Sequence, residues 1–355
     1  WYQYLSSRVF KKKNPIYFND ISINTKSIRK KDIFFALKGK KTDGHNFVKE
    51  ALNKGSAAAV IENESKKEKL TKIIKVENVK RTLNDLSKYT RKISEAQFVA
   101  ITGSAGKTTV KNLTAHLLQR FGAVTKSPKS FNNSLGVPIS ISNLKHKTKY
   151  AVLELGMSRK GEINQLSKLV SPKIGLITNI GEAHLENFQN LKQIANAKSE
   201  LISHIDKEGT VILNKEDKFF KYLKKCASRR KLKIISFGWN KGDLCIQKIN
   251  KIKSYYKIKI SVFNEKLSFK ISNIDKIFLV NLLCSLAVIY ALGLNIKKIF
   301  NIIDKFKIPE GRGDFQKIKI NNKFISLVDH SYNANPQSMA LAIKSFDALK
   351  IKKEN

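Results

Sequence analysis

The chain is poor in cysteine, with only Cys226, Cys245 and Cys284 among 355 residues. They form no CxxC pair and have no histidine at metal-ligand spacing. This excludes a disulfide framework and a zinc site of familiar form, and it fits a reducing, cytoplasmic compartment. Arginine is also scarce, supplying nine of the 68 basic residues. Its planar fork is the group that reads phosphates and base edges in pairs. The lysines are scattered rather than clustered. The formal net charge of +40 therefore reads as lysine-covered solvated faces, and no nucleic-acid partner is expected. The sequence shows no secretory leader, internal repeat or long low-complexity run. It opens on Trp1 rather than Met, so a start further upstream is expected.

Hydrophobic residues make up 42% of the chain and the mean hydropathy is -0.30, values of a folded, soluble chain. One run, "IFLVNLLCSLAVIYALGLNI" from Ile277 to Ile296, is long enough to cross a membrane. However, Asn281 and Ser285 fall i, i+4 on one face, and Gly293-Leu294-Asn295 is a stop signal. A helix buried in a soluble domain is expected, with no membrane insertion.

The pattern along the chain is α/β. Short strands (Ile33 to Leu37, Ala57 to Ile61) and a helix from about Asn46 to Lys54 occupy the first 95 residues. "QFVAIT", "YAVLEL", "KIGLITNI", "TVILN" and "KIISFGW" then alternate with helical stretches. Near-continuous apolar strands separated by helices predict a doubly wound, mostly parallel sheet. Lys251 to Ile271 alternates and reads as a hairpin or small antiparallel patch. Pro309 to Gly313 reads as a linker, and "KFISLVDHS" as a new strand. Three domains are expected, at 1–95, 96–308 and 309–355. A complete α/β domain needs about 100 residues, so the last is expected to be cut short.

The densest chemistry lies in "VAITGSAGKTTVKNL". A strand ends at Thr102, Gly103, Ser104, Ala105 and Gly106 make a tight loop, and Lys107, Thr108 and Thr109 open a helix. Such a loop aims backbone N–H groups and a helix N-terminus at phosphates. Lys107 would neutralise the β/γ-phosphates and the Thr108 hydroxyl would ligate Mg²⁺. The usual first glycine is Ala100 here, so the loop is a shortened variant. Glu154 ends "YAVLE", at the strand edge where open α/β sheets bind ligands, and its oxygens suit Mg²⁺. His184 follows another strand on the same edge; a lone histidine there is either structural or a ligand.

Lys198 lies in "QIANAKSELI". As a helix, Leu191, Ile194, Ala195, Lys198, Leu201 and Ile202 form one apolar stripe with the lysine on it. Either its head reaches water past a buried stem, or a function holds it there.

These pieces, together with "FNNSLGVPIS", "LELGMSRKGEI", "ITNIGEAHLENF", "GRGDFQ" and "DHSYNANPQSM", resemble the Mur ligases, ATP-dependent amide-forming enzymes of cell-wall precursor synthesis. They come in the family's order and span Asn24 to Met339. The resemblance is strongest to members that join D-alanyl-D-alanine to a UDP-N-acetylmuramoyl-tripeptide. A sister that adds a single amino acid has a histidine-centred motif where this chain reads Tyr332-Asn333-Ala334-Asn335-Pro336. The implied architecture has three domains: a small α/β uridine-nucleotide domain, a central phosphate-loop domain and an incomplete Rossmann-like last domain. The family acts through an acyl phosphate and implies a cytoplasmic monomer.

The resemblance also implies roles. Glu154 and His184 become Mg²⁺ ligands, with Lys198 a third as its CO₂-derived carbamate. Asn281 reads adenine, and Arg312 and Asp329 lie by the nucleotide. Asn132 or Asn133 faces substrate, and Tyr332, Asn333 and Asn335 lie by the incoming dipeptide. Thr25, Lys26, Asp43, Gly44 and His45 match the uridine-nucleotide segment. There the family's Asp-Ser-Arg type triplet is Asn24-Thr25-Lys26, which loses the arginine fork. Asp43-Gly44 is also compatible with an ordinary turn. The competing readings are the single-amino-acid sister and a basic phosphate-loop protein that binds nucleic acid. The second of these predicts salt-sensitive retention on DNA.

Overall fold

The computed structural model describes residues 17–39, 41–62, 72–182, 187–272, 275–320, 323–332, 339–340 and 342–343. They divide into two compact units, one drawn from 1–95 with 134–146, the other from 96–133 with 147–355.

The first unit is built on a four-stranded parallel sheet. Its order is β1 (Ile21–Ser22), β2 (Ile33–Phe35), β3 (Ala58–Ile61), β4 (Ile73–Lys75). Strands β2 and β3 are buried at every position, as parallel strands covered on both faces must be. The expected first helix begins as a 3₁₀ turn, Gly44–Phe47, and continues as Val48–Asn53. The Val79–Ile93 helix buries Val79, Leu83, Leu86 and Thr90 along one stripe, and the Asn78 side chain caps it on the Arg81 N–H. A third helix, Gly136–Ser142, packs against it although it comes from far along the chain. Asn143 fastens that helix to β1: its Oδ1 accepts from the Ile21 N–H at 2.6 Å and its Nδ2 donates to the Ile21 carbonyl at 3.0 Å.

The second unit holds a nine-stranded sheet. Its strands are β5 (Gln97–Thr102), β6 (Val124–Lys126), β7 (Tyr150–Glu154), β8 (Ile174–Ile177), β9 (Thr210–Asn214), β10 (Lys233–Gly238), β11 (Leu244–Ile252), β12 (Tyr255–Val262) and β13 (Glu265–Ile271). Their order is β13-β12-β11-β10-β9-β8-β5-β7-β6, parallel from β6 to β11. The predicted doubly wound sheet is present. The alternating Lys251–Ile271 stretch is antiparallel, as expected. It forms β12 and β13, which extend the same sheet antiparallel. Strand β5 lies between β7 and β8, so successive connections leave it in opposite directions. That topological switch opens a crevice beyond the carboxyl ends of β5, β7 and β8.

The apolar run expected as a buried helix is the Lys276–Ala291 helix, capped by Asp275 on the Phe278 N–H. No described helix is long and apolar enough to cross a membrane. It packs on the Lys107–Leu118 helix. Its polar face is used there: Thr114 Oγ1 donates to Ser285 Oγ at 3.1 Å, inside the core. Beyond residue 309 lies a two-stranded antiparallel hairpin, β14 (Asp314–Ile320) and β15 (Lys323–Asp329). The second strand was expected; the first hides in a lysine-rich alternation after the linker glycines.

Candidate active site

The loop after β5 sits at the switch point and is held mainly by the segment after β8. The Ser104 N–H donates to the Asn179 carbonyl at 3.0 Å, and the Ala105 N–H to Asn179 Oδ1 at 2.9 Å. Thr178 Oγ1 donates to the Ala105 carbonyl at 2.6 Å. Ser104 Oγ exchanges bonds with Gly181, both at 2.9 Å. Gly103 and Gly106 have φ of +147° and +81°. A Cβ on Gly103 would lie 1.9 Å from Thr178 Oγ1, and one on Gly106 2.7 Å from Asn281 Oδ1. Glycine is therefore required at both by backbone angle and by space. The Lys107–Leu118 helix starts at the end of this loop, so its first N–H groups lack partners within the helix and face the crevice.

Glu154, the last residue of β7, is buried and fully engaged. Thr108 Oγ1 donates to its Oε2 at 2.7 Å and Asn132 Nδ2 to its Oε1 at 2.8 Å. Its own N–H donates to Ser127 Oγ at 3.2 Å. The Lys111 ammonium lies 3.7 Å from Oε2 and also donates to the Lys129 carbonyl. Asn132, one of the two asparagines of which one is expected to face substrate, gives its Nδ2 to this carboxylate.

Cations crowd around this one carboxylate. The Lys107 ammonium donates to the Gly103 and Ser104 carbonyls at 2.8 and 3.3 Å. Burial lowers its pKa, Glu154 opposes that shift, and Arg312 adds to it. Burial lowers Lys111 to about 8, again against Glu154, with Lys126 and Arg312 adding. Lys198 is 2% exposed. Burial first, and the Lys107 charge second, hold its pKa well below the ordinary lysine value. No carboxylate pairs with Lys198 among the described residues. It does not snorkel: the helix Leu191–Ser199, capped by Asn190, turns it inward with Ile194 and Ala195.

A cradle of buried cations with a single carboxylate is chemically unfinished without a polyanion. A triphosphate would supply the missing charge. The Thr108 hydroxyl and Glu154 carboxylate are hard oxygens side by side, the donor type Mg²⁺ takes. No group of three His, Cys, Asp or Glu is gathered among the described residues. ATP and Mg²⁺ therefore fit the residues present.

Asn281 stands over the loop at Gly106, buried in its helix. The Arg312 guanidinium lies 4.0 Å from the Tyr332 ring centroid, and the Tyr332 hydroxyl is 2.6 Å from Ser130 Oγ. Asp329 accepts from the Ser331 N–H; the Ser331 hydroxyl first, and that N–H second, lower its pKa, while its carbonyl accepts from the Gly313 N–H. His184, Asn333 and Asn335 lie outside the described residues.

In the first unit, Thr25 is buried and its carbonyl accepts from Lys54 at 3.0 Å. The Lys26 N–H donates to Asn24 Oδ1. Asp43 caps the turn: its Oδ1 accepts from the His45 N–H at 3.0 Å and pairs with His45 Nδ1 at 2.6 Å. Those bonds lower the Asp43 pKa. His45 Nε2 accepts the Glu62 N–H at 3.1 Å, which fixes Nδ1 as the protonated nitrogen. Gly44 is pressed against Leu37, where a Cβ would meet backbone at 2.7 Å. Much of this segment's polarity is thus used within the fold.

Sequence reasoning missed Lys111, Ser127, Thr178 and Asn179. Thr178 and Asn179 follow the β8 strand directly, as Glu154 ends β7, and that strand-end position was the available signal.

Residues 17–94 match the family described as "Mur ligase family, catalytic domain", and residues 101–289 match "Mur ligase middle domain". The UDP-N-acetylmuramoyl-tripeptide--D-alanyl-D-alanine ligase of Rickettsia prowazekii is 33% identical over 333 residues, covering 93% of this chain and 73% of that protein. MurF from Acinetobacter baumannii superposes with a TM-score of 0.83 at 28% identity, over 97% of this chain and 76% of that one. MurF ligase from Thermotoga maritima, solved in complex with ADP, does so with a TM-score of 0.76 at 29% identity, over 92% and 74%.

Proposed function

The chain belongs to the Mur ligase family, and from that premise we propose that it joins D-alanyl-D-alanine to UDP-N-acetylmuramoyl-tripeptide with cleavage of ATP, in peptidoglycan precursor synthesis. The observation that carries this is the loop at the switch point, whose glycines let it close against Thr178 and Asn281 while Lys107, Thr108 and Glu154 converge on it. The labour divides as 1–95 for the uridine nucleotide, 96–308 for ATP and 309–355 for the amine acceptor. The setting is cytoplasmic, in keeping with three free cysteines.

A carboxylate is a poor electrophile. Its oxygen attacks the γ-phosphorus, ADP leaves, and the acyl phosphate now has a good leaving group. The amine of D-alanyl-D-alanine adds to the acyl carbon, and the tetrahedral adduct expels phosphate as the amine loses a proton. Carboxylate and triphosphate repel one another, so fixed positive charge is what the site must supply. Lys107 supplies it at the phosphates, with the amides at the start of its helix. Thr108 and Glu154 would hold Mg²⁺, joined by His184 and a carbamylated Lys198. When bound, that ion offsets negative charge on the phosphoryl oxygens. Asn132 and Lys111 keep the Glu154 carboxylate aimed, and Ser127 holds its backbone N–H.

The carbamate reading of Lys198 rests on its burial and depressed pKa. A neutral amine adds to CO₂, forming an N–C bond and releasing a proton. The product is an anion with two hard oxygens in place of a buried amine. Asn281, Arg312 and Asp329 would lie along the nucleotide, and Tyr332, Asn333 and Asn335 along the dipeptide. Thr25, Lys26 and the Asp43–His45 turn would face the uridine nucleotide, using groups left over from the bonds above. The test is phosphate release from ATP, which should require both the muramoyl-tripeptide nucleotide and the dipeptide. Release indifferent to both overturns the reading; release supported by a single amino acid favours the sister activity.

A further inference from the structure

Lys111 is one of the most deeply buried side chains, at 0% exposure, and it reaches beyond the carboxylate it steadies. It lies one helical turn beyond Lys107, so the same helix carries both toward the crevice. Its ammonium joins two things. One is Glu154 Oε2, 3.7 Å away. The other is the carbonyl of Lys129. Lys129 is unusual in its own right, with φ +44° on a residue that bears a side chain. Left-handed backbone there is held by its surroundings rather than preferred. The turn it forms is closed by the Phe131 N–H on the Pro128 carbonyl at 3.0 Å. The next residue, Ser130, meets the Tyr332 hydroxyl at 2.6 Å, and Tyr332 carries the Arg312 guanidinium on its ring. Two residues further on, Asn132 returns to Glu154 Oε1.

We propose that Lys111 and the 128–132 turn form one positioning device, tying the carboxylate at the metal site to Tyr332 in the segment that receives the amine. This rests on the ligase reading. The turn is anchored to Glu154 at both ends, by the Lys111 ammonium through Lys129 and by Asn132 directly. Its exposed tip is the contact with Tyr332. A buried ammonium at this spot costs desolvation energy that a methionine of similar length would avoid. An ammonium has three donors and a charge, so it can hold the Glu154 carboxylate oxygen and the Lys129 carbonyl together. The consequence is coupling: the geometry of Glu154 and the seating of Tyr332 are set by the same turn, so loosening one end is felt at the other.

The test compares wild type, Ser130→Ala, Lys111→Met and the double variant in steady-state turnover, with melting curves to establish folding. Ser130→Ala removes an exposed hydroxyl and keeps the fold. It should raise the KM for D-alanyl-D-alanine and also raise the Mg²⁺ concentration for half-maximal turnover, each about threefold or more. Lys111→Met should raise the dipeptide KM as well as lower kcat, although it is buried beneath the nucleotide site. The double variant should be no worse in dipeptide KM than the poorer single one. A Ser130→Ala effect on the dipeptide with unchanged Mg²⁺ dependence overturns the link, as does strict multiplication of the two KM effects. If Lys111→Met does not fold, the Mg²⁺ dependence of Ser130→Ala decides alone. Failure of the ligase reading would look different, because wild type itself would then turn over without the dipeptide.

Discussion

Replacing Gly103 by alanine tests whether the loop after β5 is a phosphate cradle. The new Cβ would lie 1.9 Å from Thr178 Oγ1, and 3.1 Å from both the Thr178 Cβ and its backbone nitrogen. Contacts that short do not persist, so Thr178 must turn away or the loop must lift. Turning Thr178 breaks its 2.6 Å bond to the Ala105 carbonyl, a loss of about 1 kcal/mol. It also leaves the methyl at 3.1 Å from the rest of that residue. A φ of +147° on a residue with a side chain adds about 1–3 kcal/mol. The combined cost is about 2–4 kcal/mol, equivalent to roughly 30- to 1000-fold in an equilibrium constant. It can appear as lost stability or as lost nucleotide affinity, depending on whether the loop yields. Urea unfolding of the nucleotide-free protein and calorimetric titration with Mg·ATP measure the two shares. Their sum should reach the stated range. A sum under about 1 kcal/mol, with ATP bound as in wild type, refutes the geometry on which the argument rests.

Two further predictions concern the buried lysines. Lys198→Met removes a buried amine whose protonation burial already opposes, so it should raise the melting temperature of the nucleotide-free protein while abolishing turnover; Lys198→Ala should be partly rescued by a short carboxylic acid at high concentration, and full activity in either variant would return this lysine to packing. For Lys111 the folded pKa of about 8 lies below the ordinary lysine value of 10.5, so between those limits the unfolded chain holds more protons and this group's contribution to stability rises with pH. Urea melts should therefore show wild type gaining about 2 kcal/mol on Lys111→Met between pH 7 and pH 10, and parallel curves would contradict the burial.

Much of this site was legible because it is written at strand ends. The apolar runs of β5, β7 and β8 fixed where the sheet turns, and "GSAGKTT" and Glu154 follow from them directly. The lysine on the stripe of Leu191–Ser199 was legible because that helix has a solvated face for contrast. Lys111 was not, since its helix is buried almost all round and a lysine there breaks no pattern of alternation. Asn132 was found by its neighbours in sequence, but its partner lies across the sheet edge, and no spacing rule reaches that far. The hairpin strand β14 escaped because its polar residues alternate with too few apolar ones to outweigh the linker glycines before it.

The helix Gly136–Ser142 gives the chain a delayed first unit. Its partner surface, the Val79–Ile93 helix, and its tether, Ile21, are made early, but the helix itself lies about 40 residues further along, beyond β5, the phosphate loop and β6. At about 5–20 residues per second of synthesis, the first unit waits several seconds for its last piece, with an apolar helix face uncovered meanwhile. A first unit cut at residue 95 would stay in that unfinished state permanently. Supplying residues 134–146 as a separate peptide should protect it from proteolysis.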